Sequence, residues 1–522
     1  MNNSSDIEPS TPPTVSRRRA LQLGAAGVVV AGGASAGLLA WKHDSPINRI
    51  TAHSPEVLRA ERVRATTGKL VTRQLIAQPT TIDLAGTTAK TSTYDGGVPT
   101  EVIRAAPGDQ LRVDVHNQLP VPTTLHWHGL ALRNDMDGVP GITMPTIAPG
   151  GSFRYQFTLP DPGTYWFHPH VGVQLDTGLM GALIIEDPHE PLSYDEEAVL
   201  VLDDWTDGVS KSPAAVLADL RTNGMASMSG MSTGMGGMQS EMGSMSTKGM
   251  GVSADHPLGK DTGDVKYPLH LINGKPPKDP AVITAKPGQR LRLRLINAAS
   301  DTAYRFAIGG QQLTVIASDG FAVKPLDVDS LILGMGERYD VLVSVPAGAF
   351  LIISRPEGKP DQPAFAVLRA GSGATPKPEA IGLAGRVLSY DDLQPTHGAT
   401  LAQHSVDRTL QVTLQMRHGG RQWLINGKTY SNHAPLDVKP GERVRLNLNN
   451  QTMMFHPMHL HGHTFALVQA GRPGVRKDTL NVLPMQRRTV ELQADNPGQW
   501  LLHCHNAYHG ELGMMTVLSY IR

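Results

Sequence analysis

Histidine recurs in this chain in pairs separated by one residue: His126 and His128, His168 and His170, His459 and His461, and His503 and His505. Composition alone, with 21 histidines in 522 residues, would produce about one such spacing, whereas five occur, the fifth being the overlap of His461 with His463. On a β-strand residues i and i+2 face the same way, so each pair can reach one metal cluster together. Imidazole suits copper, zinc, iron and nickel, and ligand type alone leaves the metal open. His116, His189, His270 and His463 are read as ordinary core or surface histidines.

Cys504 narrows the choice. It is the only cysteine, and it lies between His503 and His505, so it must point away from their cluster into its own domain. There it would meet His456, His509 five residues on and Met514 ten residues on. Two histidines, a cysteine and a long axial methionine make a blue-copper electron-transfer site. A zinc site would need a closed tetrahedral set and would leave the other eight histidines without a role.

These residues need elements that bring them together, and the chain repeats one unit three times. PGDQLRVDVHN (107–117), PGQRLRLRLIN (287–297) and PGERVRLNLNN (440–450) each run from a Pro-Gly turn into an alternating strand that ends on Asn. An INGK turn precedes the second and third copies at equal distance. Their second halves align as PGTYWFHPH ending at His170, AGAFLIISR ending at Arg355 and PGQWLLHCH ending at His505. In this alignment His126 and His128 match Phe306 and Ile308, then His459 and His461; His168 and His170 match Ile353 and Arg355, then His503 and His505.

The first and third copies therefore supply the paired histidines and the middle copy supplies none. Pro169 and Leu179 stand where Cys504 and Met514 stand, so one blue-copper centre is expected per chain. Frequent Pro and Gly, short alternating runs and no long helical period predict an all-β chain of three consecutive Greek-key β-barrels or sandwiches. The expected boundaries are 65–190, 195–380 and 385–522, with a linker over 41–64.

Formal charge is zero with pI near 7.4, which gives no global field toward nucleic acid or an anionic membrane. Residues 1–40 carry SRRRAL (16–21), an uncharged Ala/Gly/Val run and small residues at Ala34-Ser35-Ala36. This has the form of a twin-arginine export signal, and it predicts export to the periplasm, cell envelope or outside, with membrane contact only through that segment. A single cysteine excludes an intrachain disulfide. Between residues 225 and 250 lie eight methionines among Ser, Gly and Thr. Thioether sulfur favours Cu(I), so this insertion reads as a Cu(I)-gathering loop, against a tolerated low-complexity insertion.

HWHG (126–129), HPH (168–170), HPMHLHGH (456–463) and HCHNAYHGELGM (503–514) resemble the four copper motifs of multicopper oxidases across all three repeats. With the export signal, the chain looks most similar to exported bacterial copper-resistance oxidases. The resemblance implies cupredoxin-like domains and four copper ions. His456, Cys504, His509 and Met514 would hold type 1 copper, and His126 and His459 type 2. His128, His168 and His505 would hold one type 3 ion, and His170, His461 and His503 the other. It also implies one-electron oxidations coupled to reduction of dioxygen to water, with Asp137 and Glu511 as candidate proton-relay acids beside Cys504 as the electron route.

The expected partners are dioxygen, a Cu(I), phenolic or Fe(II) reductant, and the twin-arginine translocation machinery. A laccase-like phenol oxidase or ferroxidase is the rival within enzymes. A non-catalytic copper-storage cupredoxin is the rival from another class, opposed by the complete ligand set. Family members carry a methionine segment nearer type 1 copper, whereas here it falls in domain two.

Overall fold

The computed structural model describes residues 48–224, 252–377, 383 and 385–522. The signal-like segment and the methionine stretch lie outside the described residues. No helix among the described residues is long and apolar enough to cross a membrane.

Each Pro-Gly repeat forms the same ladder. Gln110–Asn117 pairs in parallel with Leu70–Asp83 and antiparallel with Ser152–Thr158. Arg290–Asn297 and Arg443–Asn450 have the same two kinds of neighbour in their own domains. A four-stranded sheet faces a second four-stranded sheet in the first domain, and six-stranded sheets face five-stranded ones in the second and third. This is the all-β, three-domain architecture that the repeats implied, and it agrees with the cupredoxin-like domains that the resemblance implied.

The Asn that ends each repeat has one structural task, repeated three times. Asn117 Nδ2 donates to the carbonyls of Val121 and Ile147, while its Oδ1 accepts from Leu119 N. Asn297 does the same with Thr302, Leu333 and Ala299, and Asn450 with Met454, Val482 and Thr452. One buried amide thus satisfies three backbone groups of the connection that leads into the ligand strand. In the INGK turns Asn273 and Gly274, then Asn426 and Gly427, all take positive φ, as a two-residue type I′ hairpin requires.

Alternation sends the residue between each pair of histidines into a core. Trp127 packs edge-on against Phe157 with ring centroids 5.3 Å apart, and Tyr155 and Phe167 complete its surroundings. Burying such a side chain contributes roughly 1.5–3 kcal/mol. In domain two, Phe306 and Ile308 are buried and apolar where the other copies carry imidazole. Pairing there is also offset by one residue: His126 faces His168 and His459 faces His503, but Phe306 faces Ser354 instead of Ile353.

An N-terminal arm ties the outer domains together. Ile50 N donates to Tyr520 O, Gln499 Nε2 donates to Ile50 O, and Glu61, on the helix Pro55–Arg62, accepts from Thr158 N. Domain three's last strand is thereby held to domain one.

Candidate metal centre

The strands His126–His128 and Gly163–His168 of domain one meet His456–Leu460 and Gln499–Cys504 of domain three, and the five paired imidazoles on them converge with those of His170, His461 and His505 just past the strand ends. His126 stacks on His461 and His128 on His459, each with centroids 3.8 Å apart across the domain boundary. His505 lies 4.8 Å from His128 and 5.4 Å from His168, while His170 lies 5.1 Å from both His461 and His503. The Trp166 ring, 4.4 Å from His168, forms one wall.

One nitrogen of most of these rings is tied down and the other is not. Nδ1 of His126 donates to Asp137 O, that of His461 to Asp137 Oδ2, and that of His459 to Asp478 O. Nδ1 of His168 and His503 donates to the carbonyls of Pro169 and Cys504. His128 is inverted: its Nε2 donates to Asp478 Oδ1 at 3.1 Å. What remains without a partner is Nε2 of His126, His168 and His459, Nδ1 of His128 and both nitrogens of His505, all buried.

Nε2 of His461 and of His503 face each other at 3.0 Å although both Nδ1 atoms are committed elsewhere, so two lone pairs oppose one another. Buried polar atoms are seldom left unsatisfied, and a bound metal whose ligands are oriented from behind would satisfy all of these. Among the described residues, three all-histidine sets lie close enough to share an ion, His126, His459 and His461; His126, His128 and His168; and His170, His461 and His503, and a fourth set in this cluster joins His128 and His459 to Asp478.

Burial, followed by repulsion from neighbouring imidazoles, holds His168, His461, His503 and His505 well below the usual histidine range and brings His170 down to about 3. The rings are therefore neutral and able to ligate near pH 7.

On the opposite face of Gln499–Cys504, the Cys504 Sγ lies 3.6 Å from Nδ1 of both His456 and His509, which are 3.2 Å from each other. His456 Nε2 is held by the Thr452 hydroxyl at 2.8 Å, and His509 Nε2 donates to Asp264 Oδ2 at 3.0 Å. Trp423 covers His509 with centroids 3.9 Å apart. Met514 is fully buried and lies in the same loop, its N donating to His509 O and its O accepting from Cys504 N.

Asp137 is buried at the edge of the stacked pair His126 and His461, its Oδ1 3.2 Å from His126 Nδ1 and its Oδ2 3.0 Å from His461 Nδ1. Glu511 lines a cavity of about 30 Å³ shared with His168, His170, His503 and His505. Burial raises its carboxyl above the usual range against the opposing pull of Arg221. His463 is held apart from both groups, between His461 O and the Tyr520 hydroxyl.

Sequence reasoning missed Asp478, Asp264, Thr452 and Arg338. Spacing carries no sign of them, although Lys477 and Asp478, two charges at the junction of buried strands, are a composition signal in themselves.

Three family models described as multicopper oxidase match residues 76–190, 196–372 and 403–521. The chain is 46% identical over 465 residues to the multicopper oxidase MmcO of Mycobacterium tuberculosis, spanning 88% of this chain and 89% of the relative. A copper resistance protein A homolog of Pseudomonas syringae pv. tomato is 30% identical, with 83% and 90% covered. Laccase-2 of Botryotinia fuckeliana is also 30% identical, with 85% and 81% covered. The crystal structure of a laccase from Botrytis aclada superposes with a TM-score of 0.71 at 26% identity, covering 89% of both chains. That of Fet3p, titled a multicopper oxidase that functions in iron import, superposes at 0.73 with 22% identity, covering 87% and 90%.

Proposed function

The chain belongs to the multicopper oxidase family, and we propose that within it the enzyme is an exported cuprous oxidase serving copper resistance. It is a copper-dependent oxidoreductase that passes electrons from a reductant to dioxygen. The ligand sets proposed are His456, Cys504, His509 and Met514 for type 1; His126 and His459 for type 2; and His128, His168, His505 with His170, His461, His503 for the type 3 pair, four ions in all. The unpartnered nitrogens support this reading, since those of His126, His128, His168 and His459 are the donors left over after each ring has been oriented from behind, and His505 has both of its nitrogens free.

Copper, when bound, supplies the one-electron steps and the affinity for dioxygen. The chain supplies the rest. Cys504 is bonded through its own backbone to His503 and His505, so a continuous covalent route joins the two faces of the strand. Asp137 orients His126 and His461 through buried contacts and keeps Oδ1 free of a full hydrogen bond, which suits it to pass a proton. Glu511, protonated more readily than an exposed carboxylate, can release a proton into the cavity it shares with the histidines.

One observation carries the choice of cuprous ion: both flanks of the methionine stretch sit against the Cys504 site. At its start, a Cβ on Gly224 would strike Gly419 O, and Arg221 lies 3.9 Å from Glu511. After it, Asp261 bridges to Met454, and Asp264 meets His509. The described residues on either side of 225–251, which belong to domain two in sequence, therefore lie beside the residues of domain three proposed to hold type 1 copper.

Deleting residues 225–250 should lower Cu(I) oxidation at least about tenfold while phenol oxidation changes less than twofold. Equal losses would refute the assignment, and faster turnover of a phenol than of Cu(I) by the intact enzyme would favour the laccase-like reading. Export by the twin-arginine route rests on residues 16–40; replacing Arg17 and Arg18 with Lys should leave the precursor in the cytoplasm, and unchanged export would remove that part.

A further inference from the structure

Domain two carries none of the paired histidines, yet one of its turns forms a wall of their cluster. Gly336, with φ of 86°, approaches so closely that a Cβ there would lie 2.8 Å from His128 Cε1 and 3.0 Å from His505 Cδ2. Two residues on, the Arg338 guanidinium is fully buried and grips Asp478 of domain three in a bidentate pair at 2.7 and 2.6 Å. Its Nε donates to Thr164 O of domain one at 3.0 Å. The same Asp478 Oδ1 that takes one arm of the fork accepts from His128 Nε2 at 3.1 Å and from the Thr479 hydroxyl at 2.9 Å, and it lies 3.4 Å from His459 Nδ1.

We propose that Arg338 is a positioning residue of the oxygen-reducing cluster, fixing through Asp478 the ring planes of His128 from domain one and His459 from domain three together. A planar fork holds a carboxylate in one orientation, which a point charge does not. One carboxylate fixed this way aligns two stacked rings that belong to different domains. Among the described residues, nothing at the matching position of the other repeats does this. At the matching ladder position, opposite His116 and opposite Asn449, stand Ser152 and Arg487, both exposed, whereas Arg338, opposite Ile296, is 0% exposed.

Gly129 completes the fit, because a Cβ there would come within 2.4 Å of Arg338 Nη2 and 2.8 Å of Asp478 Oδ2. A neighbouring lock joins the same two domains without touching a histidine: Glu337 meets Lys477 at 3.0 Å and accepts from Asn481 Nδ2 at 2.6 Å. That neighbour separates a role in the cluster from a role in mere docking.

The proposal rests on the copper assignment above, which the copper count and spectra of the unaltered enzyme test independently. Arg338→Lys keeps the charge and loses the fork. In the copper-loaded enzyme it should leave the blue type 1 absorption and its potential unchanged, alter the type 2 electron paramagnetic resonance signal or lower cluster copper occupancy, and reduce kcat about 10- to 100-fold with KM for the reductant within twofold. Asp478→Asn should reproduce this pattern. Glu337→Gln should lower thermal stability while leaving the cluster signal intact. An Arg338→Lys enzyme with full copper, an unchanged type 2 signal and normal kcat overturns the proposal. So does a Glu337→Gln enzyme with the same cluster defect, since that would make the effect one of domain docking.

Discussion

The two groups of metal-seeking side chains occupy opposite faces of one strand, Gln499–Cys504, and they are assembled by different means. The eight-histidine group draws on domains one and three in equal measure, is stacked across their boundary, and is backed by an arginine from domain two. The Cys504 group draws its nearby donors from two segments of domain three, with Asp264 reaching in from domain two to His509. The first group can exist only when domains are docked in register, whereas the second is set mainly by the fold of one barrel. One strand thus couples a site sensitive to quaternary-like packing with one that is locally determined.

Cys504→Ser should break the comparison most severely. It removes the soft donor from one face while leaving the other face's rings untouched, so reductant oxidation should fall to background with the blue absorption gone and cluster copper retained. Loss of cluster copper as well would mean that the two faces are not separable.

Asp137→Asn comes next. The amide can still accept from His461 but cannot carry a proton as a carboxyl does, and oxygen reduction should drop about 10- to 100-fold with all copper bound and type 1 unchanged. Unaltered turnover in the copper-replete variant would remove its proton role.

The smallest effect is on stability and follows from burial. The copper-free fold holds the rings of His168, His461, His503 and His505 neutral and brings His170 down to about 3, whereas an unfolded histidine binds a proton near 6.5. Below that pH the unfolded chain carries more protons than the folded one, so stability falls as pH falls. Melting temperature of the copper-free protein should decline by several degrees between about pH 6.5 and 4.5, and bound copper should raise it throughout by stabilising only the folded state. A flat profile without copper would show that the rings are hydrated in the apo state.

Much of this arrangement was legible because it obeys short-range rules. Strand alternation is a period-two law, so His126 with His128 and His503 with His505 had to share faces and Cys504 had to oppose them. The repeat Asn and the INGK turns are local chemistry, which is why three ladders could be aligned from spacing alone. Asp478, Arg338 and Asp264 obey no such rule. Arg338 and Asp478 are separated by 140 positions and meet only because two barrels dock, and Asp264 is 245 positions from His509. The one-residue offset in domain two was hidden for a related reason, since an apolar strand without ligands has nothing to mark its register.

The inversion of the His128 ring has a geometric consequence. Nδ1 of an imidazole is two bonds from Cβ and Nε2 is three. Because Asp478 claims the outer nitrogen of His128 while Asp137 and backbone carbonyls claim the inner nitrogens of His126, His168, His459, His461 and His503, the strand His126–His128 offers its free donors at two depths. The acid that reverses one ring thereby gives a flat strand a stepped profile, bringing one donor nearer the chain than its neighbour two residues before.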